Sequence, residues 1–238
     1  MLGITPPKYR KEGELSNIAN YFYTWFSEVI DKPDVVIWNG DLVDGEGRRE
    51  STYHVTTDIY EQLDMACDVV KMVGAKKNIF VFGTAYHTGY IFDYEKVIAK
   101  EFNEDIKTRQ KVEIGGIRFD CMHTVGKSGT PTGGDIMLRK AGLWSAIYDQ
   151  LDGRDHADIV VRSHIHEYRL IANEHIKVVT TPAMKLGLAD YDRYGRKLDG
   201  YYSVGFIEFN FKNGACQSTV YPIPHLFKYE ISGGYKKV

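Results

Sequence analysis

Apolar residues recur along the chain at two periods, and the alternation between them lays out a β/α order. From Leu15 to Ile30, the residues Ile18, Tyr21, Phe22, Trp25, Phe26, Val29 and Ile30 fall at helical spacing, with Pro33 just beyond. That spacing predicts a helix packed on a sheet. Val35-Val36-Ile37-Trp38 is a β-rich run that breaks into Asn39-Gly40-Asp41, as a buried strand does where it enters a loop. A second helix is predicted over 57–73. Ile59, Leu63, Ala66, Val70 and Val73 share one face of it, and Gly74 sits where a C-terminal cap belongs. Ile79 to Phe82 predicts another buried strand, stopped by Gly83. A helix is expected from Phe92 to Phe102. Two strands, 111–114 and 117–122, flank Gly115-Gly116, a hairpin signal. A further helix is predicted over 135–151, then a buried strand at Ile159-Val160-Val161. From Tyr168 onward only short β runs follow, over 168–171, 177–180, 204–211, 216–221 and 227–231. The N-terminal stretch to Leu15 reads as a loop containing prolines and charges, with no strand before the first helix.

The order is β/α alternation first and a block of strands second. It predicts an α/β sandwich with mixed rather than purely parallel sheets. No internal repeat, low-complexity segment or linker divides the chain, so residues 1–238 are read as one domain.

Composition narrows the function classes. With 238 residues and 43% hydrophobic content, the chain has ample apolar surface for a core. A formal charge of −2 and a pI near 6.4 do not point to nonspecific binding of nucleic acid through phosphate neutralisation. A groove can still be locally basic, because net charge averages over the surface. Cys67, Cys121 and Cys216 are widely spaced and form no CxxC pair, so neither a disulfide framework nor a structural zinc site is expected, and a reducing, cytoplasmic setting is. No run approaches the ~18 apolar residues of a membrane span, and no signal-type apolar segment opens the chain.

The candidate chemistry lies at strand ends. Val35–Trp38 delivers Asn39, Asp41 and Asp44; Ile79–Phe82 delivers Thr84 and His87; Ile117–Met122 delivers His123; Ile159–Val161 delivers His164 and His166. In open α/β sheets, ligands bind beyond the carboxyl ends of the strands. Each signal also has a plainer reading. Gly40-Asp41-Leu42-Val43-Asp44-Gly45 can be a turn with solvated aspartates. His164 and His166 can be two histidines on one face of a strand. Imidazoles and carboxylates collected from four strand ends are, however, the donor set of a metal site.

The pattern resembles the calcineurin-like metallophosphoesterases. That family carries, in order, Asp-x-His, Gly-Asp-x-x-Asp, Gly-Asn-His-Asp/Glu, a lone His after a strand, and Gly-His-x-His. Here Gly40-Asp41-Leu42-Val43-Asp44 matches the second block and His123 the lone histidine. Ser163-His164-Ile165-His166 matches the last block, with Ser163 in place of Gly. The third block reads Gly83-Thr84-Ala85-Tyr86-His87, with Thr84 at the asparagine ligand and His87 displaced by two positions. This segment and the start Leu2-Gly3-Ile4-Thr5-Pro6-Pro7 are similar to a phage-type branch of the family. Asp-x-His is absent, and neither Asp31 nor Asp34 replaces it. By the resemblance, this chain begins just after that block and lacks the central strand bearing it.

The resemblance implies a calcineurin-like α/β/β/α sandwich and two divalent metal ions of the Mn, Fe, Zn or Ni class. Asp41 would bridge them, and His123, His164, His166 and Thr84 would serve as further ligands. His87 would protonate the leaving group or steady the phosphate, and Asn39 and Asp44 would orient ligands. Arg48 and Arg49 would touch substrate phosphate. The implied activity is hydrolysis of a phosphodiester or phosphomonoester, with nucleic acid among the candidate substrates. Without the first block, weak or absent two-metal hydrolysis is expected from this chain. The alternative is a truncated or catalytically impaired protein that keeps the fold for binding.

Overall fold

The computed structural model describes residues 2–10, 14–45, 55–126, 128, 130–186, 204–212 and 215–222. In chain order, the elements are β1 (Leu2–Gly3), a 3-10 turn Pro7–Tyr9, α1 (Glu14–Val29), β2 (Val35–Trp38), α2 (Ile59–Val73) and β3 (Lys77–Val81). Then come α3 (Ala85–Thr88), α4 (Tyr94–Glu101), β4 (Ile106–Lys107), β5 (Arg109–Ile114), β6 (Ile117–Met122) and α5 (Pro131–Leu151). The last are β7 (Ile159–Arg162), β8 (Arg169–Ala172), β9 (Lys177–Thr180), β10 (Lys185–Leu186), β11 (Gly205–Lys212) and β12 (Ala215–Pro222).

Two sheets face each other. One runs β2-β3-β4 and is parallel throughout. The other runs β5-β6-β7-β9-β8, with β6, β7 and β9 parallel and β5 and β8 antiparallel at its edges. The mixed character expected from the sequence is therefore present. The β5–β6 hairpin closes on Gly115 (φ +59°) and Gly116 (φ +79°), the two successive left-handed residues that a two-residue turn of this hand requires.

The pleat decides the layers, because neighbouring side chains on a strand point to opposite faces. On β3, Phe80 joins Ala66 and Val70 of α2 and Ile98 and Ala99 of α4. Its neighbour Val81 joins Phe119, Cys121, Ile159, Val161 and Val179 of the second sheet. On β7 and β9, Val160 and Val178 turn the other way, onto Leu138 of α5. The order is helix, sheet, sheet, helix. The β11–β12 hairpin adds Ile207, Phe209 and Phe211 to the central layer, and Phe206 packs with Trp25 and Phe26 of α1.

One polar network crosses the outer layer. Asp120 of β6 is fully buried and turned towards α5. It accepts hydrogen bonds from the guanidinium of Arg109, the Ser145 hydroxyl and Arg162 on β7 (3.2 Å). Burial would raise the Asp120 pKa, but the two arginines and Ser145 outweigh it and hold the carboxyl at about 2. Lys111 pairs with buried Asp149 alongside.

Several boundaries differ from the sequence expectation. A two-residue strand, β1, precedes the first helix and pairs antiparallel with β10. The helix expected from Asp135 starts at Pro131, because the Thr130 hydroxyl caps it and proline is suited to a first turn. The helix expected from Phe92 starts at Tyr94, because the Asp93 carboxylate accepts from the amides of Glu95 and Lys96. The short α3 and β4 were not anticipated, being too brief to show a period. The strand expected over 227–231 lies outside the described residues. Among the described residues, no helix is long and apolar enough to cross a membrane.

Candidate metal centre

Parallel strands deliver their carboxyl ends to one rim. The ends of β2, β3, β6 and β7 lead into Asn39, Gly83, His123 and Ser163 respectively. Cross-links hold these ends in register. The Asn39 amide donates to the Ser163 hydroxyl (2.7 Å) and to the Met122 carbonyl (3.3 Å), and the Ser163 amide donates to the His123 carbonyl (2.8 Å).

Three side chains converge at this rim. One potential ligand atom from each of Asp41, His123 and His164 lies within 4.8 Å of the other two. The rings of His123 and His164 stand 5.4 Å apart at 69°. Backbone conformation marks the same place. Asp41 (φ +59°), His164 (φ +73°) and His166 (φ +57°) are all left-handed, a region that costs a non-glycine residue roughly 1–3 kcal/mol. Such strain persists where the surroundings over-determine the conformation.

His123 supplies a test of whether a cation fits. Its Nδ1 lies 2.6 Å from the Asn39 carbonyl oxygen. A carbonyl only accepts, so Nδ1 carries the hydrogen and a neutral ring keeps its lone pair on Nε2. That Nε2 is buried and has no aligned hydrogen-bond partner, yet Asp41 Oδ2 stands 2.9 Å away. Two electron-rich atoms face each other at short range, which requires positive charge between or on them. A proton on His123 or a metal cation meets that requirement. Two imidazole nitrogens and one carboxylate are a donor set suited to Zn, Mn, Fe or Ni. The residues therefore fit a divalent cation.

The electrostatics express the same demand for positive charge, met here by a proton. Burial would raise the Asp41 pKa, but His123, His87 and the Thr84 amide outweigh it and hold the carboxyl at about 2. Burial would lower the His123 pKa, but Asp41 and the Asn39 carbonyl outweigh it, and the net shift is upward.

The surrounding residues have distinct places. Thr84 sits at the edge of the cluster, its amide (2.7 Å) and hydroxyl (3.1 Å) both donating to Asp41 Oδ1. His87, on α3, donates from Nδ1 to the Asp44 carbonyl (3.0 Å), which leaves Nε2 facing Asp41 Oδ2 at 4.0 Å. Asp44 is thus engaged through its backbone carbonyl and its amide, which donates to Gln62. His166 does not belong to the converging group of three. Arg48 and Arg49 lie outside the described residues.

Two buried polar residues were missed in the sequence. Gln62 is 5% exposed; its Oε1 accepts from the amides of Asp44 and Gly45, and its Nε2 donates to the carbonyls of Gly45 and Thr56. Glu95 is 0% exposed and accepts from the amides of Leu42 (2.8 Å) and Gly83 (2.7 Å). Burial lifts its carboxyl to about 7, against the pull of those two amides and with Asp41 and Asp93 adding to the rise. A signal was present for both. Gln62 lies four residues before Ala66, and Glu95 three before Ile98, so each occupies the apolar face of its helix.

No family model and no curated protein matches the sequence. Solved structures do. Vps29 from Entamoeba histolytica in its complex with Zn2+ is 13% identical, with 84% of this chain and 88% of that one covered and a TM-score of 0.37. A protein of Streptococcus pneumoniae described as a predicted phosphoesterase is 11% identical, covering 85% and 82%, with a TM-score of 0.41. An archaeal phosphodiesterase is 16% identical, covering 87% and 93%, with a TM-score of 0.40. Likenesses this remote do not bear on activity.

Proposed function

We propose that this chain is a metal-dependent phosphoesterase that hydrolyses a phosphodiester or phosphomonoester. Asp41, His123 and His164 would hold a divalent cation, which supplies Lewis acidity and a lowered water pKa when bound. The observation that carries the reading is the buried Nε2 of His123, unaligned with any partner and 2.9 Å from Asp41 Oδ2. The family resemblance at Gly40-Asp41-Leu42-Val43-Asp44 and His164-Ile165-His166 supports it, as does the helix, sheet, sheet, helix layering.

The chain's own residues divide the remaining work. Thr84 fixes the Asp41 carboxylate through two donors. His87 is anchored at Nδ1 by Asp44, so its Nε2 is presented beside the cluster. There it can hold a proton for the leaving oxygen or steady a phosphate oxygen. A second cation, held by His166 with Asp41, belongs to the same proposal.

A second reading is a protein that binds one cation without turnover. One observation favours it: among the described residues three ligand residues converge, and His166 stands outside them.

The deciding experiment strips the protein with chelator and reloads it with Mn, Zn, Fe or Ni. Metal content and hydrolysis of bis-p-nitrophenyl phosphate, p-nitrophenyl phosphate and a single-stranded oligonucleotide are then measured. On the first reading, His87→Ala lowers kcat by about 10²–10⁴-fold with metal content unchanged. His164→Ala loses both metal and activity. Bound metal with no turnover of any substrate establishes the second reading. No bound metal overturns both.

A further inference from the structure

We infer that Glu95 is a positioning residue for the metal centre, a staple whose two carboxylate oxygens hold the Asp41 turn and the Thr84 turn at a fixed separation. The inference rests on the metal-binding reading of Asp41, His123 and His164.

The geometry is specific. Glu95 Oε1 accepts from the Leu42 amide at 2.8 Å, one residue after Asp41. Glu95 Oε2 accepts from the Gly83 amide at 2.7 Å, one residue before Thr84. Each oxygen takes one turn, and the turns themselves touch. The Thr84 amide donates to Asp41 Oδ1 at 2.7 Å. A Cβ built on Gly40 would lie 2.6 Å from the Gly83 Cα and 2.7 Å from His123 Nδ1. At such closeness, a small slip of one turn displaces a ligand.

Glu95 is itself fixed from behind. It lies in the first turn of α4, where the Asp93 carboxylate caps the amides of Glu95 and Lys96 (3.0 and 3.2 Å). Ile98 and Ala99, on the same face, are buried in the core with Phe80, Val43 and Ala66. An apolar side chain at this position would leave both amides without an acceptor. The Glu95 carboxylate is placed where only a two-acceptor group of its length satisfies both amides. Partners behind a ligand typically change metal affinity by about 10–100-fold.

The test uses Co2+ as the probe, read by its visible absorption band and by a binding titration on the full chain. Glu95→Gln keeps one acceptor but sets an NH2 donor against a backbone N–H. Glu95→Asp keeps both acceptors but is one methylene too short to reach both turns. Asp120→Asn, an equally buried carboxylate behind α5, is the comparison for general loss of stability. Circular dichroism in chelator checks folding.

We expect Glu95→Gln to bind Co2+ about 10–100-fold more weakly with a shifted band, Glu95→Asp to shift the same band, and Asp120→Asn to keep the wild-type band and affinity. Should Glu95→Gln fail to fold, Glu95→Asp gives the reading. Wild-type affinity and an unchanged band in the folded Glu95 variant overturn the inference and leave the metal site standing. Equal losses in the Glu95 and Asp120 variants overturn it too, since both then act through stability alone. If the wild-type chain takes up no Co2+, the metal reading itself fails.

Discussion

Nε2 of His123 stands 2.9 Å from Oδ2 of Asp41, while Nδ1 of the same ring is held 2.6 Å from the Asn39 carbonyl. The ring cannot rotate away from the carboxylate without giving up the carbonyl. It cannot stay neutral without setting one lone pair against another. A proton on His123 or a bound cation relieves this, and on the proposed reading the cation would bind the native state alone, since the three donors come from the ends of β2, β6 and β7. Metal removal should therefore lower stability. At a free metal concentration 100 times Kd, the stabilisation is about 2.7 kcal/mol, or about 5–10 °C in Tm for a chain of this size. A thermal melt with and without chelator checks it. Coincident melts would count against the site.

Gly83 should not tolerate a side chain. A Cβ there would lie 2.2 Å from Asp41 Oδ1 and 2.3 Å from the Asp41 amide nitrogen. Neither atom is the end of a flexible chain, because Oδ1 is fixed by Thr84 and the amide is backbone. Gly83→Ala is expected to cost about 1–3 kcal/mol through overpacking and to weaken metal binding by displacing Asp41. Chemical denaturation and a metal titration measure the two effects. A variant with wild-type values in both would mean that the two turns are not in contact.

Asp120 should define much of the acid limb of stability. Its carboxyl is held at about 2, below its ordinary 3.8, because Arg109, Arg162 and Ser145 outweigh the cost of burial. A depressed folded-state value favours the ionised form. The stabilisation is therefore fully present above about pH 4 and is lost as pH falls towards 2. Asp120→Asn removes it and leaves two arginines facing one another. We expect the variant to be about 3–5 kcal/mol less stable at pH 6 and to lose less than wild type on acidification from pH 5 to pH 3. Asp41 shares the window, so the variant keeps a smaller acid limb. Urea unfolding at the three pH values measures this; parallel slopes for the two proteins would refute it.

The longer helices and strands were legible because each stands on local patterning. Val35–Trp38, Ile117–Met122 and Lys177–Thr180 fall where their β-rich runs end, and α1 and α2 begin within two residues of expectation. The candidate ligands were legible for a related reason: strand-end histidines and aspartates interrupt apolar runs. The boundaries that moved, at Pro131 and Tyr94, were set by caps whose hydrogen bonds depend on a single side-chain oxygen.

What the sequence could not decide is which of those residues meet. Asp41, His123 and His164 come from two different sheets, and the packing of Val81 against Phe119 and Val161, with the Asn39 hydrogen bonds to Ser163 and Met122, brings the sheet ends together. In the sequence, Thr84 stands at a ligand position and His87 beside it as the candidate proton donor. In the fold, Thr84 spends its donors on Asp41, and His87 is anchored through the Asp44 carbonyl. Glu95 and Gln62 read as ordinary helix residues until the loops close over them. The sequence by itself determined the elements and the supply of metal-binding donors, because periodicity and strand-end chemistry are local. Tertiary structure decided the cluster of three and the staple behind it, because both rest on contacts between residues that are 41 to 123 positions apart for the ligands and 12 to 53 for Glu95 and that meet only when the layers pack.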